Sequence, residues 1–214
     1  MSNGTPNTPA PAPKKKIGLL GCLGVIVIIV IIAALSGIGT YNRLNKLDQA
    51  VKSQWAQVEN QYQRRADLVP NLVETVKGAA AFEKDTFTAV TEARSKVGQV
   101  KLDASNLNNP EAFAQFQQAQ DGLSSALSRL MVVIEKYPEL KATENFRTLQ
   151  SQLEGTENRI TVERMRFNEA AQAFNTKRMS FPTVLMAGLF GSRFAEKPYF
   201  KAQAGAETAP KVKF

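Results

Sequence analysis

Two pairs of carboxylates, Asp67 with Glu74 and Glu157 with Glu163, are the first place to look for chemistry. One carboxyl group held neutral beside another held ionised is a way to move protons without a cofactor. Each pair falls along one helix, however, a spacing that serves ordinary ion pairs far more often. No nucleophile, glycine-rich phosphate loop or metal-ligand cluster stands beside either pair. Histidine, the usual general base and metal ligand, is absent from the 214 residues. The single cysteine, Cys22, lies in an apolar run, which leaves neither a disulfide framework nor a cysteine metal site. The residue types therefore point away from catalysis, and no cofactor motif is visible.

A second constellation is polar rather than reactive. Asn60, Arg64, Asp67, Asn71 and Glu74 recur every three or four positions and form one stripe along a helix. Arg164, Asn168 and Asn175 form a comparable stripe later in the chain, with Glu157 near the same side. If the two helices are antiparallel neighbours, the stripes meet as a hydrogen-bonded ladder that fixes register. The alternatives are two solvated faces, or a groove for a partner. Gln115, Gln117, Gln118 and Gln120 read as a wet helix face with one polar core position.

The elements that must carry these residues are helical. From Ile17 to Thr40 no residue is charged, and 24 helical positions span roughly 36 Å, enough for a hydrocarbon core of about 30 Å. We assign residues 17–40 as a transmembrane helix behind a disordered basic tail, residues 1–16. A cleaved signal peptide ending near Ala34-Leu35-Ser36, and a lipidated Cys22 after Leu19-Leu20-Gly21, are the competing readings. Lys14, Lys15 and Lys16 crowd the N-terminal flank, which favours a cytoplasmic N-terminus and an extracytoplasmic bundle.

Beyond Tyr41 the apolar residues Leu44, Leu47, Val51, Trp55, Val58, Tyr62, Ala66, Val69, Val73, Val76 and Ala80 alternate steps of three and four. They predict a long helix continuing from the membrane segment, kinked rather than ended at Pro70. A turn at Gly78, a helix from Phe82 to Val97 stopped by Gly98, and a loop from Lys101 to Asn109 follow. Asn109-Pro110-Glu111 is a cap, a proline at the first helical position and an acid in the first turn. The next helix carries a heptad of Phe113, Phe116, Gln120, Leu123, Leu127, Leu130, Ile134 and Tyr137. Pro138 opens the last long helix, with Phe146, Leu149, Leu153, Thr156, Ile160, Glu163, Phe167, Ala170 and Phe174 inward. The fold class is all-α: a transmembrane helix followed by an elongated up-and-down four-helix bundle over residues 41–180.

Residues 181–200 are apolar and aromatic, too short to span, and flanked by Lys and Arg: Phe181, Leu185, Leu189, Phe190, Phe194, Tyr199 and Phe200. They suit a membrane-proximal interfacial segment, or a cap folded back on the bundle's open end. A disordered basic tail, residues 201–214, closes the chain. The net charge of +8 sits at the two ends, since residues 41–174 balance 17 Lys+Arg against 17 Asp+Glu. Such a distribution fits anionic lipid headgroups and not nucleic acid, which needs a basic face on the folded domain.

The runs Tyr41-Asn-Arg-Leu, Trp55-Ala-Gln-Val-Glu, Arg64-Arg-Ala-Asp-Leu-Val-Pro-Asn-Leu-Val, Thr91-Glu-Ala-Arg94, Glu157-Asn-Arg-Ile160, Phe167-Asn168, Phe174-Asn175 and Phe181-Pro182 resemble the LemA family over roughly residues 41–200. The resemblance implies a membrane helix followed by a helical bundle, and no catalytic role to carry over. Members are often described with a short N-terminus outside the cell, opposite to the lysine argument, and one relative belongs to magnetosome membranes. The expected protein is a non-enzymatic, single-pass component of the bacterial cytoplasmic membrane that acts as a scaffold, with itself or other envelope proteins as partners. The alternative is a lipid-surface protein that shapes the bilayer through residues 181–200.

Overall fold

The computed structural model describes residues 17–77 and 84–202; the expected basic tail at 1–16, the turn at Gly78, the helix start at Phe82 and all but the first two residues of the expected tail at 201–214 lie outside the described residues. The chain divides into two units, Met1–Asn42 and Arg43–Phe214. Six α-helices are described: α1 (Ile17–Lys77), α2 (Lys84–Gln99), α3 (Pro110–Ile134), the single turn α4 (Pro138–Lys141), α5 (Glu144–Met179) and α6 (Thr183–Leu189). A 3-10 turn (Gly191–Phe194) and an extended stretch, residues 195–202, follow. No strand is present among the described residues.

In the first unit the described residues are helical throughout. Every leucine, valine and isoleucine from Leu23, at 54 %, to Ile38, at 61 %, is more than half exposed. In water that surface would be costly, at about 25 cal/mol for each Å² left uncovered. Hydrocarbon is the solvent that suits it. Among the described residues one helix is long and apolar enough to cross a membrane, with a window of mean hydropathy 2.7.

In the second unit the inward positions of α1 keep a strict heptad: Leu44, Asp48, Val51, Trp55, Val58, Tyr62, Arg65, Val69, Leu72 and Val76 are all buried. Two of the ten are charged. Leu47 and Ala66, the apolar neighbours expected inside, are only half-buried beside Asp48 and Arg65. The helix passes through Pro70, whose ring nitrogen has no hydrogen to donate to the carbonyl of Ala66. Arg94 of α2 supplies the missing donor, its Nε lying 3.0 Å from that oxygen.

Direction follows from which residues meet. Trp55 of α1 packs on Phe113 and Phe116 of α3 and on Phe167 of α5, with ring centroids 5.2–6.1 Å apart. Further along, Val69, Leu72 and Val76 meet Val90 of α2, Leu130 and Ile134 of α3, and Phe146 and Leu153 of α5. Ascending α1 thus means ascending α3 and descending α5, the up-and-down order of a four-helix bundle. The heptad expected of α3 is buried from Phe113 to Ile134, and Asn109 caps it by accepting from the backbone N–H of Glu111 and Ala112 at 3.0 and 3.2 Å.

Three details depart from expectation. Gly98 does not stop α2, which runs on to Gln99. Pro138 opens only the one-turn α4; a break at Ala142-Thr143 follows, and α5 starts at Glu144. In α5 it is Ala171, not Ala170, that is fully buried.

Candidate functional site

Two polar clusters stand out in the second unit, and each is built around a charged heptad position of α1. The first is centred on Arg65, whose side chain is 1 % exposed. Its guanidinium donates to Ser124 Oγ at 2.6 Å, to Glu157 Oε1 at 2.8 Å, and to both the backbone and side-chain oxygens of Gln120. The planar fork of donors is what lets one residue join α1, α3 and α5 at a single level. Beside it Tyr62 is 4 % exposed and its hydroxyl finds no hydrogen-bond partner among the described residues. Burial pushes that phenol up to about 12, so it is neutral at physiological pH and offers no base.

The second cluster surrounds Asp48. Lys197, from the extended stretch, lies with its ammonium on Asp48 Oδ1, on Asn108 Oδ1 at 2.6 Å and 4.9 Å above the Phe174 ring. Lys52 approaches Asp48 Oδ2 at 2.8 Å. Burial acts to raise the Asp48 carboxyl, but the hydrogen bonds and charges of Lys197 and Lys52 outweigh it and hold the group below the usual carboxylate range.

Between and beyond these clusters, three side-chain amides grip the C-terminal stretch by its main chain. Asn175 donates to the Lys197 carbonyl at 2.8 Å and accepts from the Lys197 N–H at 2.9 Å. Asn168 does the same to Phe200, at 3.0 and 2.9 Å, and Gln117 of α3 to Lys201, at 2.9 and 3.4 Å. Two helical turns separate Asn168 from Asn175, about 10 Å, and three extended residues separate Lys197 from Phe200 by about the same distance. The equality of these spacings lets one helix face hold the stretch at two points. Phe200 then drops into the core, its ring 4.8 Å from that of Phe113 and stacked on Trp55 at 6.2 Å. Arg164 covers it from outside, with its guanidinium 4.7 Å above the ring.

The residues expected to form the polar ladder are thus divided. Asn60, Arg64, Asp67, Asn71 and Glu74 are all exposed on α1. Arg164, Asn168 and Asn175 are brought together, not with that stripe but with residues 197–201. The expected stripe is one position out of phase with the heptad at Arg64, so Arg65 is the arginine that points inward. Asp48, Arg65, Asn108, Ser124 and Lys197 stand outside the expected site, and Gln117, on the expected wet face of α3, grips Lys201. A strict four-three count along α1 from Leu44 would have reached both Asp48 and Arg65.

The expected membrane-proximal residues divide as well. Phe194 and Phe200 are buried, at 1 % and 7 %, and Phe190 is half-buried. Tyr199, 38 % exposed, accepts from Asn175 through its hydroxyl. Phe181, Leu185 and Leu189 stay open, at 80 %, 63 % and 78 %. Residues 194–201 therefore fold back on the bundle, while the outer face of α6 does not.

Among the described residues no group of three or more Asp, Glu or Cys comes together that could hold a metal ion. What the fold and its polar clusters define is a membrane-associated protein with a helical bundle closed by its own C-terminal strap. The match of a family model over residues 54–214 makes the identification specific: the chain belongs to the LemA family. It is similar to magnetosome protein MamQ 2 of Paramagnetospirillum magneticum and to magnetosome protein MamQ of Magnetospirillum gryphiswaldense. Each is 26 % identical over 162 residues, covering 68 % of this chain and 59 % of the relative. Protein LemA of Metamycoplasma hominis is 26 % identical over 124 residues, covering 58 % of this chain and 52 % of its own length. The chain thus spans between half and two thirds of the curated relatives it matches.

Proposed function

We propose that this protein is a non-enzymatic scaffold of the bacterial cytoplasmic membrane, self-associating or recruiting envelope proteins through the outer surface of its bundle. Residues 17–40 span the membrane once, with the lysines at 14–16 on the cytoplasmic side and the bundle outside, in keeping with the charge rule for flanking residues. The observation that carries the reading is the employment of the buried polar groups. Arg65, Asp48, Lys197 and Asn175 are each committed to another part of the same chain. Groups so committed give a bundle of fixed shape, which suits binding more than turnover. Similarity to proteins named for the magnetosome supports a part in building a cellular structure.

Crosslinking of the full chain in native membranes, followed by identification of the products, tests this. Discrete homo-oligomers or one recurrent envelope partner are expected; a monomer with no recurrent partner overturns it. Cysteine accessibility after Arg43 tests the orientation, with labelling from the extracytoplasmic side as the expected result.

A further inference from the structure

Helix α6 is seated the wrong way round for a helix in water. The residues it turns inward are small or polar: Thr183 at 0 % exposure and Ala187 at 4 %. The large apolar ones face out: Phe181, Val184, Leu185 and Leu189, at 46 % to 80 %, continued by Met179 at 59 %. In an ordinary amphipathic helix the assignment is reversed. Small inward residues let α6 lie close on the end of α5, which leaves the bulky ones with little among the described residues to cover them. Exposed apolar groups scattered singly need no explanation, but these five fall within one segment of eleven residues, 179–189.

Charge says what covers them. Between Glu169 and Glu196 the chain carries Lys177, Arg178 and Arg193 and no acid. Arg178 is held by the fold, its Nε donating to the Phe194 carbonyl at 2.6 Å. Along the chain, then, these apolar side chains are flanked by bases and by no acid, the composition that anionic headgroups over acyl chains complement. With seven residues α6 is too short to cross a bilayer, so it can lie only at the surface.

We propose that the outer face of α6, from Met179 to Leu189, inserts into the surface of an anionic lipid bilayer as a contact separate from the transmembrane helix. The insertion places the bulky side chains at the boundary of headgroups and acyl chains, with Lys177 and Arg193 among the phosphates. It requires no self-association, so it stands or falls apart from the scaffold reading.

The test uses the full chain reconstituted in vesicles, with Cys22→Ser as background and single nitroxide labels at Leu185→Cys, Leu189→Cys and, as control, Val132→Cys. Val132 is 68 % exposed on α3. Collision with oxygen, which concentrates in lipid, is compared with collision with a water-soluble nickel chelate. In vesicles containing about one third phosphatidylglycerol, positions 185 and 189 are expected to show at least threefold higher oxygen-to-nickel ratios than position 132. In vesicles of phosphatidylcholine alone the excess is expected to fall by half or more. Adding Leu189→Asp to the Leu185→Cys chain abolishes the excess while the thermal unfolding midpoint stays within a few degrees. Ratios at 185 and 189 equal to that at 132 in anionic vesicles overturn the proposal. So does dipolar broadening between labels at 185, which would show that a second copy covers the face. An excess of the same size in neutral vesicles overturns the role given to the bases.

Discussion

Asn175 and Lys197 are joined through both ends of one amide: Nδ2 donates to the Lys197 carbonyl at 2.8 Å, and Oδ1 accepts from its N–H at 2.9 Å. A helix side chain thereby satisfies a backbone segment that has no strand to pair with. The arrangement recurs at Asn168 with Phe200, so the grip on the strap is repeated rather than incidental.

Removing one amide leaves a buried donor and acceptor with no partner. Asn175→Ala is expected to lower stability by about 2–4 kcal/mol, and Asn168→Ala, at a more open site, by about 1–2 kcal/mol. Asn71→Ala, on the exposed side of α1, is expected to change it by less than about 0.5 kcal/mol. Thermal unfolding followed by circular dichroism makes the comparison, and hydrogen exchange over residues 195–202 should rise in the first two variants only.

Adjacent arginines should behave oppositely. Arg65→Ala leaves the buried Gln120 side chain without its partner around an emptied site, while Glu157, 38 % exposed, can turn to water; it is expected to cost about 2–4 kcal/mol, whereas Arg64→Ala should fall within about 0.5 kcal/mol of the parent. Arg65→Lys is expected to restore only part of the loss, since an ammonium cannot reach Ser124, Gln120 and Glu157 from one plane. Denaturant unfolding of the three variants checks the order.

Acid should loosen the strap. The folded-state carboxyl of Asp48 lies below its ordinary value, so its contribution is present above the unfolded value of about 4 and is lost as pH falls through the folded one. Proteolysis between Phe194 and Lys201 is expected to accelerate below about pH 4 in the parent. In Asp48→Asn it should already be fast at pH 7, because the Lys197 ammonium has lost its counter-charge. Equal rates for the two proteins at neutral pH would argue against the ion pair.

Tyr62 acts at the other end of the scale. Its folded-state value is raised to about 12, so the group is neutral in both states below the unfolded value of about 10, and as pH rises from there the unfolded chain gives up the proton that the folded one keeps and stability falls. Tyr62→Phe removes a buried hydroxyl that lacks a partner, and is expected to be neutral or stabilising at pH 7 and to flatten the alkaline limb of the stability curve. Unfolding midpoints measured from pH 7 to pH 11 check both statements.

The helices were legible because their signals are local: Asn109 with Pro110 at one start, and unbroken heptad spacing from Phe113 to Ile134. The charged core positions were not, because reading inward residues by apolarity steps from Leu47 to Val51 and from Ala66 to Val69, around Asp48 and Arg65. Those two are inside because Lys197 and Glu157 meet them, partners 149 and 92 residues away along the chain. The strap was hidden for a related reason. Asn168 and Asn175 were visible as a pair at matched spacing, but what they bind is main chain, which leaves no mark in the side chains of residues 197–201. For residues 181–200 the composition could not separate what is buried from what is open, since Phe194 and Phe181 are the same residue type with opposite surroundings.

Trp55 is the chain's one tryptophan, and the strap's Phe200 lies across it. Indole emission shifts to longer wavelength when water reaches the ring, so the protein carries a built-in optical gauge of whether its tail is seated. The seated and unseated forms can be told apart by colour in the intact, unlabelled molecule.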